Sequence, residues 1–166
     1  GKASFKDAHT VTVIPGFYSV IPSDAYESPQ EYTADYIIIA TGSVSASLPI
    51  PGADLPGILT SREILDIEEV PQRLCVIGGG VIGLEFASIF RSFGSEVTVV
   101  EYCKDILPRF DTDLAKRLKQ SLAKRGIEIN TQAQVTSITE NSGEYTVTFT
   151  RKGKEETVVA DNVLMA

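Results

Sequence analysis

The stretch CVIGGGVIGLEFA, residues 75–87, decides the fold that this sequence predicts. Within it, Gly78, Gly80 and Gly83 have the spacing G-x-G-x-x-G, which is a weak signal when it stands alone. Here an apolar strand precedes the glycines, and an apolar stripe at helical spacing follows them. A second apolar strand then ends at the acid Glu101. This strand–turn–helix–strand order predicts a Rossmann-like dinucleotide-binding unit.

Each glycine of the pattern has a physical role in such a unit. Gly78 permits the tight turn at the end of the strand, and Gly80 leaves room for the backbone to approach a pyrophosphate. Gly83 allows the helix and the strand to pack closely. Free N–H groups at the helix start, together with the helix dipole, favour the phosphate charges. The residues of the turn predicted to contact the dinucleotide are Gly78, Gly79, Gly80, Val81, Ile82 and Gly83.

The acid at the end of the second strand predicts which dinucleotide is bound. Glu101 follows Gly83 by 18 residues, close to the usual spacing of a ribose-binding acid. Its carboxylate can accept hydrogen bonds from both ribose hydroxyls of adenosine, and it would repel a 2′-phosphate. Residues 102–105, beginning with Tyr102, contain no arginine cluster that would hold an extra phosphate. The sequence therefore predicts NAD rather than NADP.

Sequence patterns on both sides extend this unit to an α/β domain. A helix over residues 111–125 and a strand over 127–130 complete a β-α-β core, which spans residues 72–130. Alternating patterns with turns between them predict a three-stranded antiparallel meander over 133–160, and a last strand over 162–166. The predicted fold class is α/β, a Rossmann-like dinucleotide-binding domain with a parallel sheet, helices and a β-meander.

The first third of the chain has a different character. Thr10–Ile14 and Phe17–Ile21 read as strands joined by a turn at Pro15-Gly16, and Asp35–Ala40 reads as a buried strand. Residues 44–59 are rich in proline and glycine and predict a domain boundary. Thr60 and Glu63 form a capping-box pattern, which predicts a short helix that stops at Pro71. We therefore expect two domains, residues 1–43 and 44–166.

Composition excludes several classes of function. The net charge of −7 at pH 7 disfavours binding to nucleic acids and to anionic membranes. No apolar run approaches the ~20 residues that span a bilayer, and no targeting segment stands out, so the default expectation is a cytoplasmic protein. The two cysteines fit no metal or redox spacing, and His9 is the only histidine. We therefore expect no metal site.

Four stretches, taken together, resemble one known family. YIIIATG (36–42), LTSRE (59–63), CVIGGGVIGLEF (75–86) and VVEYCKDILPRFD (99–111) are similar, in this order, to the pyridine-nucleotide disulfide oxidoreductases. The pairing of GGGVIGLE with ILPRFD looks most like the dihydrolipoamide dehydrogenase branch. The resemblance implies that residues 1–43 are a remnant of an FAD-binding domain and that 44–166 form the NAD-binding domain.

The resemblance also implies roles for individual residues. Glu85 would face the nicotinamide carboxamide, Val81 would lie over the flavin, and Val135 would lie beside the adenine. The FAD diphosphate region would contact Ala40, Thr41 and Gly42.

For the complete enzyme, the resemblance implies NAD and FAD as cofactors, hydride transfer between them, and dihydrolipoamide oxidation. It also implies a homodimer that belongs to a 2-oxoacid dehydrogenase complex. The redox C-x4-C disulfide and the His–Glu pair of the family are not in this sequence, so we expect no catalytic residue here and an inactive isolated chain. The alternatives are another family member (an NADH oxidase, a soluble transhydrogenase or a mercuric reductase) or a non-catalytic NAD-sensing module.

Overall fold

The computed structural model describes residues 2–14 and 29–166. The chain divides into two compact units, Gly1–Ser43 and Val44–Ala166. Each unit has its own strands, and each is described by itself.

The first unit contains a small antiparallel sheet. Its strands are β1 (Lys2–Phe5), β2 (Thr10–Ile14) and β3 (Gln30–Thr33), in the order β1-β2-β3. The prediction of a strand at Thr10–Ile14 is confirmed. The predicted turn at Pro15-Gly16 and the strand at Phe17–Ile21 lie outside the described residues.

The prediction of a buried strand over Asp35–Ala40 is wrong. These residues form no strand, and Tyr36 and Ile38 are 92% and 88% exposed. A buried strand needs hydrogen-bonded neighbours that satisfy its backbone groups. Within the described residues, no strand pairs with this segment. The apolar run has the composition of a core strand, but none of the described residues covers it.

The second unit is built on a five-stranded parallel sheet, as the predicted fold class requires. Its strands are β4 (Ile58–Leu59), β5 (Arg73–Ile77), β6 (Glu96–Glu101), β7 (Ile127–Thr131) and β11 (Asn162–Met165). Their order is β4-β11-β5-β6-β7, and every neighbouring pair is parallel. The strand that follows the meander in sequence thus returns to lie directly beside β5.

Two helices and a meander cover the two faces of this sheet. Helices α1 (Val81–Ser92) and α2 (Thr112–Lys124) pack on one face. The meander of β8 (Ala133–Asn141), β9 (Glu144–Arg151) and β10 (Lys154–Ala160) packs on the other. Alternate residues of β5 point to opposite faces: Val76 packs with the helices, and its neighbour Cys75 packs with the meander. The sheet is therefore buried on both sides, which explains its continuous apolar strands.

The predicted helix after Thr60 forms only in part. The Thr60–Glu63 contact is present, since the Thr60 N–H donates to Glu63 Oε2 at 2.8 Å. Only one 3-10 turn follows, over Glu63–Leu65, and Ile64 is its one buried residue. A helix needs an apolar face to bury, and Leu65 and Val70 of this segment are exposed. The capping contact is therefore followed by a single 3-10 turn and not by a longer helix.

Among the described residues, no helix combines the length and apolar character that a bilayer span requires.

Candidate functional site

The glycine-rich turn lies at the carboxyl edge of the parallel sheet. It leaves β5 after Ile77 and enters α1 at Val81. The Gly78 N–H donates to the carbonyl oxygen of Val100 on β6 at 3.0 Å, which ties the turn to the neighbouring strand. The carboxyl edge of a parallel sheet is where ligands bind in this class of fold.

Two of the three pattern glycines are required by the protein's own structure. Gly78 has a φ of +118°, and a Cβ there would lie 2.1 Å from the carbonyl oxygen of Ala166. A Cβ on Gly83 would lie 2.2 Å from the carbonyl oxygen of Gly78. Both contacts are with backbone, which cannot move aside as a flexible side chain can. Gly83 therefore permits the close packing of α1 against the turn.

Gly80 differs, because none of the described residues accounts for it. Its φ of −77° is accessible to any residue, and no atom of the described residues lies within 4 Å of a Cβ built on it. The missing side chain therefore leaves open space beside the backbone at the start of α1.

The start of α1 offers free hydrogen-bond donors. By helix geometry, the N–H groups of the first turn, including those of Val81 and Ile82, have no acceptor within the helix. No side chain in the described part of the chain caps this end, whereas Asp111 caps α2 by accepting from the N–H groups of Asp113 and Leu114. An uncapped start that faces open space is suited to an anion.

Glu101 lies at the end of β6, and its carboxylate reaches the glycine turn. The residue is 7% exposed. Oε2 accepts the Gly79 N–H at 2.5 Å, and Oε1 accepts the Cys103 N–H at 2.5 Å. Because an ionised carboxylate has about four acceptor positions, two such bonds leave it further acceptor capacity. The predicted acid is thus joined to the turn rather than merely close to it.

A cleft of about 690 Å³ opens beside the turn and Glu101. Five of the predicted site residues line it: Gly78, Ile82, Glu101, Tyr102 and Val135. Tyr102 is 71% exposed, so its ring is accessible to a bound molecule. The volume lies within the range of small-molecule and cofactor sites.

The other predicted residues do not line this cleft. Gly79 is buried in the turn and Gly83 is buried in α1, whereas Val81 and Glu85 are exposed on the first turns of α1. The first unit holds Ala40, Thr41 and Gly42, which are exposed and outside regular structure.

Twelve of the 17 residues that line the cleft were not predicted from the sequence. They come from the segment predicted to be a linker, from the residues just before the 3-10 turn, and from the ends of β5, β6, β8 and β11. They are Ser45, Ala46, Leu48, Pro49, Ile50, Ser61, Ile77, Val100, Ala133, Gln134, Met165 and Ala166. The proline-rich composition of 44–59 gave no signal that this segment folds back over the sheet edge.

Neither cysteine has the character of a reactive thiol. Complete burial raises the pKa of Cys75 to about 12. A hydrogen bond to the Glu101 carboxylate raises the pKa of Cys103 above its usual value. Since the thiolate is the nucleophile, both groups are weak nucleophiles at neutral pH.

Comparison with known proteins places this chain in a family. The family model described as "Pyridine nucleotide-disulphide oxidoreductase" matches residues 1–166. A dihydrolipoyl dehydrogenase of Acholeplasma laidlawii is 41% identical over 134 residues, which is 78% of this chain and 39% of the relative. The dihydrolipoyl dehydrogenase of Geobacillus stearothermophilus is 37% identical over 166 residues, 99% of this chain and 33% of the relative.

Solved structures agree with the sequence relatives. The HOCl-induced flavoprotein disulfide reductase RclA from Escherichia coli has a TM-score of 0.76 at 32% identity, covering 100% of this chain and 34% of that one. LpdA from Mycobacterium tuberculosis has a TM-score of 0.77 at 31% identity, covering 99% and 34%. The chain spans about a third of the length of the curated relatives it matches. By its sequence, its two-sided parallel sheet and its glycine turn, the chain belongs to the pyridine nucleotide-disulphide oxidoreductase family.

Proposed function

We propose that residues 44–166 bind NAD(H) at the carboxyl edge of the parallel sheet and form the NAD-binding domain of a flavoprotein disulfide oxidoreductase. The observation that carries this proposal is the open, uncapped start of α1 directly beside the buried carboxylate of Glu101. The start of α1 is suited to a diphosphate and the Glu101 carboxylate to a ribose, and a dinucleotide contains both.

The diphosphate is proposed to bind at the turn. The open space beside Gly80 lets phosphate oxygens approach the backbone, and the first N–H groups of α1 have no acceptor within the helix. The helix dipole adds a favourable interaction with negative charge. Side-chain cations are not needed, because the backbone supplies both donors and partial charge.

The adenosine ribose is proposed to bind Glu101. Two backbone N–H groups fix the carboxylate in one orientation, and its remaining acceptor positions are directed to the ribose hydroxyls. A 2′-phosphate would place a second negative charge against this fixed carboxylate. The adenine would then lie in the cleft against Tyr102 and Val135.

The nicotinamide end is assigned from the family resemblance. Val81 and Glu85 are exposed on the first turns of α1, so both are accessible to a bound dinucleotide. Val81 would leave space for the ring, and the Glu85 carboxylate would accept from the carboxamide. The unit Gly1–Ser43 is proposed as part of an FAD-binding domain, with Ala40, Thr41 and Gly42 near its diphosphate.

For the whole protein we propose dihydrolipoamide oxidation coupled to reduction of NAD⁺, in a cytoplasmic homodimer within a 2-oxoacid dehydrogenase complex. The bound flavin and nicotinamide would supply the hydride chemistry, while this chain would bind and orient the nicotinamide. The similarity to RclA supports a second candidate, a disulfide reductase of different substrate, because that chain matches over the full length of this one. The NAD site proposed here is common to both.

The test is a calorimetric titration of the purified chain with NADH and, separately, with NADPH. We expect NADH to bind at least about tenfold more tightly, because the Glu101 carboxylate opposes the charge of the 2′-phosphate. Equal affinities, or tighter binding of NADPH, would contradict the assignment of Glu101 to the ribose.

A further inference from the structure

The peptide groups around Gly79 are held from two sides. The Gly79 N–H donates to Glu101 Oε2 at 2.5 Å, and its carbonyl oxygen accepts the N–H of Leu107 at 2.9 Å. The G-x-G-x-x-G pattern treats this position as variable, and Gly79 is not among the residues of positive φ. Backbone conformation therefore does not explain a glycine here.

The surroundings of Gly79 leave little space for a side chain. A Cβ on this residue would lie 3.0 Å from Glu101 Oε2 and 3.0 Å from Cγ2 of Ile106, which is closer than ordinary van der Waals contact. Ile106 is fully buried in the core between α1, α2 and the sheet, so close packing restricts its movement. We therefore expect an added Cβ to push the carboxylate of Glu101 aside by a few tenths of an ångström.

The residue that donates to the Gly79 carbonyl oxygen, Leu107, has a strained backbone conformation. Leu107 has a φ of +49°, although it carries a side chain and precedes Pro108, and it is 8% exposed. Residues with side chains rarely adopt this conformation, and it persists where the surrounding structure enforces it. Here it aims the Leu107 N–H at the Gly79 carbonyl oxygen. The loop after β6 thus holds the glycine turn in place through this hydrogen bond.

We propose that Gly79, supported by Leu107, is a positioning residue that holds the Glu101 carboxylate in register with the phosphate-binding turn. The proposal rests on the proposed function, since it deepens the assignment of Glu101 to the ribose and of the turn to the diphosphate. A displacement at Gly79 would then move the Glu101 carboxylate and change how tightly it binds the ribose. The diphosphate site at the start of α1 would stay open.

The test compares Gly79→Ala with Gly80→Ala, two substitutions that add the same single carbon to adjacent residues. Gly80→Ala fills the open space, so it should weaken NADH and NADPH alike and leave their affinity ratio unchanged. Gly79→Ala should displace the carboxylate, and we expect the preference for NADH over NADPH to fall by about fivefold or more. A purely structural role for Gly79 would lower the melting temperature and leave that ratio unchanged, and this result would overturn the proposal.

Amide hydrogen exchange of the dinucleotide-free, wild-type chain provides a second measurement, which decides the matter if Gly79→Ala does not fold. We expect the Gly79 N–H to exchange at least about tenfold more slowly than the Val81 N–H, because Glu101 accepts the first and no residue of the helix accepts the second. Equally fast exchange would overturn the proposal. If the chain shows slow Gly79 exchange but binds no NADH, the proposed function fails and the support of Gly79 stands.

Discussion

Replacing Gly83 with alanine is expected to lower the free energy of unfolding by about 3 kcal/mol and to abolish NADH binding. The new Cβ would lie 2.2 Å from the carbonyl oxygen of Gly78 and 3.1 Å from Cγ1 of Val76. Backbone of the turn cannot yield as a side chain can, so α1 must shift away from β5. That shift opens the core and moves the first N–H groups of the helix. Urea unfolding followed by circular dichroism measures the first effect, and an NADH titration measures the second.

Gly80→Ala is the matched control for this stability effect. The same carbon is added three residues earlier, into open space and at a φ that alanine adopts readily. We expect it to change the free energy of unfolding by less than about 1 kcal/mol. Equal stability of the two variants would show that the close approach of α1 to the turn is not required.

Replacing Glu101 with glutamine is expected to reduce NADH affinity by tenfold or more and to reduce the preference over NADPH. A neutral amide accepts ribose hydrogen bonds less strongly than a carboxylate, and it no longer repels a 2′-phosphate. Its NH₂ group must also face the N–H of Gly79 or of Cys103, so one buried hydrogen bond is lost. The free energy of unfolding should therefore fall by about 1–3 kcal/mol.

Glu96→Gln is the control for this substitution. Glu96 lies at the other end of the same strand and is exposed. We expect this variant to match the wild-type chain in both stability and dinucleotide affinity. Calorimetric titration of the wild-type chain, Glu101→Gln and Glu96→Gln with NADH and NADPH measures these affinities. Unchanged NADH affinity in Glu101→Gln would mean that the carboxylate stabilises the glycine turn and does not bind the ribose.

Local patterns predicted most elements of the second unit. Strand β5, helix α1 and strand β6 have strong apolar periodicity bounded by glycine, and the helix α2 also has an Asp111 cap. Such elements are specified by residues near each other in sequence. Strand β4 has two residues, Ile58 and Leu59, which is too short for any period.

The remaining differences from the sequence predictions depend on distant residues. Tyr36–Ile39 has a strand composition, but a strand forms only when it pairs with another strand, and no strand of the described residues pairs with this segment. Nor does local sequence place β11 between β4 and β5, because parallel neighbours are chosen by tertiary packing.

The candidate site, too, was predicted from the sequence only in part. Glycine spacing and the position of Glu101 were sufficient to predict the turn and the acid. Their hydrogen bond through Gly79 was not predicted, since it joins residues 22 positions apart. The strained Leu107 also carries no signal in the sequence, because leucine there reads as an ordinary apolar residue.

The most direct test of the NAD site is an amide chemical-shift titration of the ¹⁵N-labelled chain with NADH. We expect the largest shifts at the N–H groups of residues 80–83, at 101–103 and at 133–135, which surround the turn, the acid and the cleft. A second, smaller cleft lies at the far end of α1 and is lined by Arg91, Ser92, Gly94 and Arg125. Shifts concentrated there instead would contradict the proposed site.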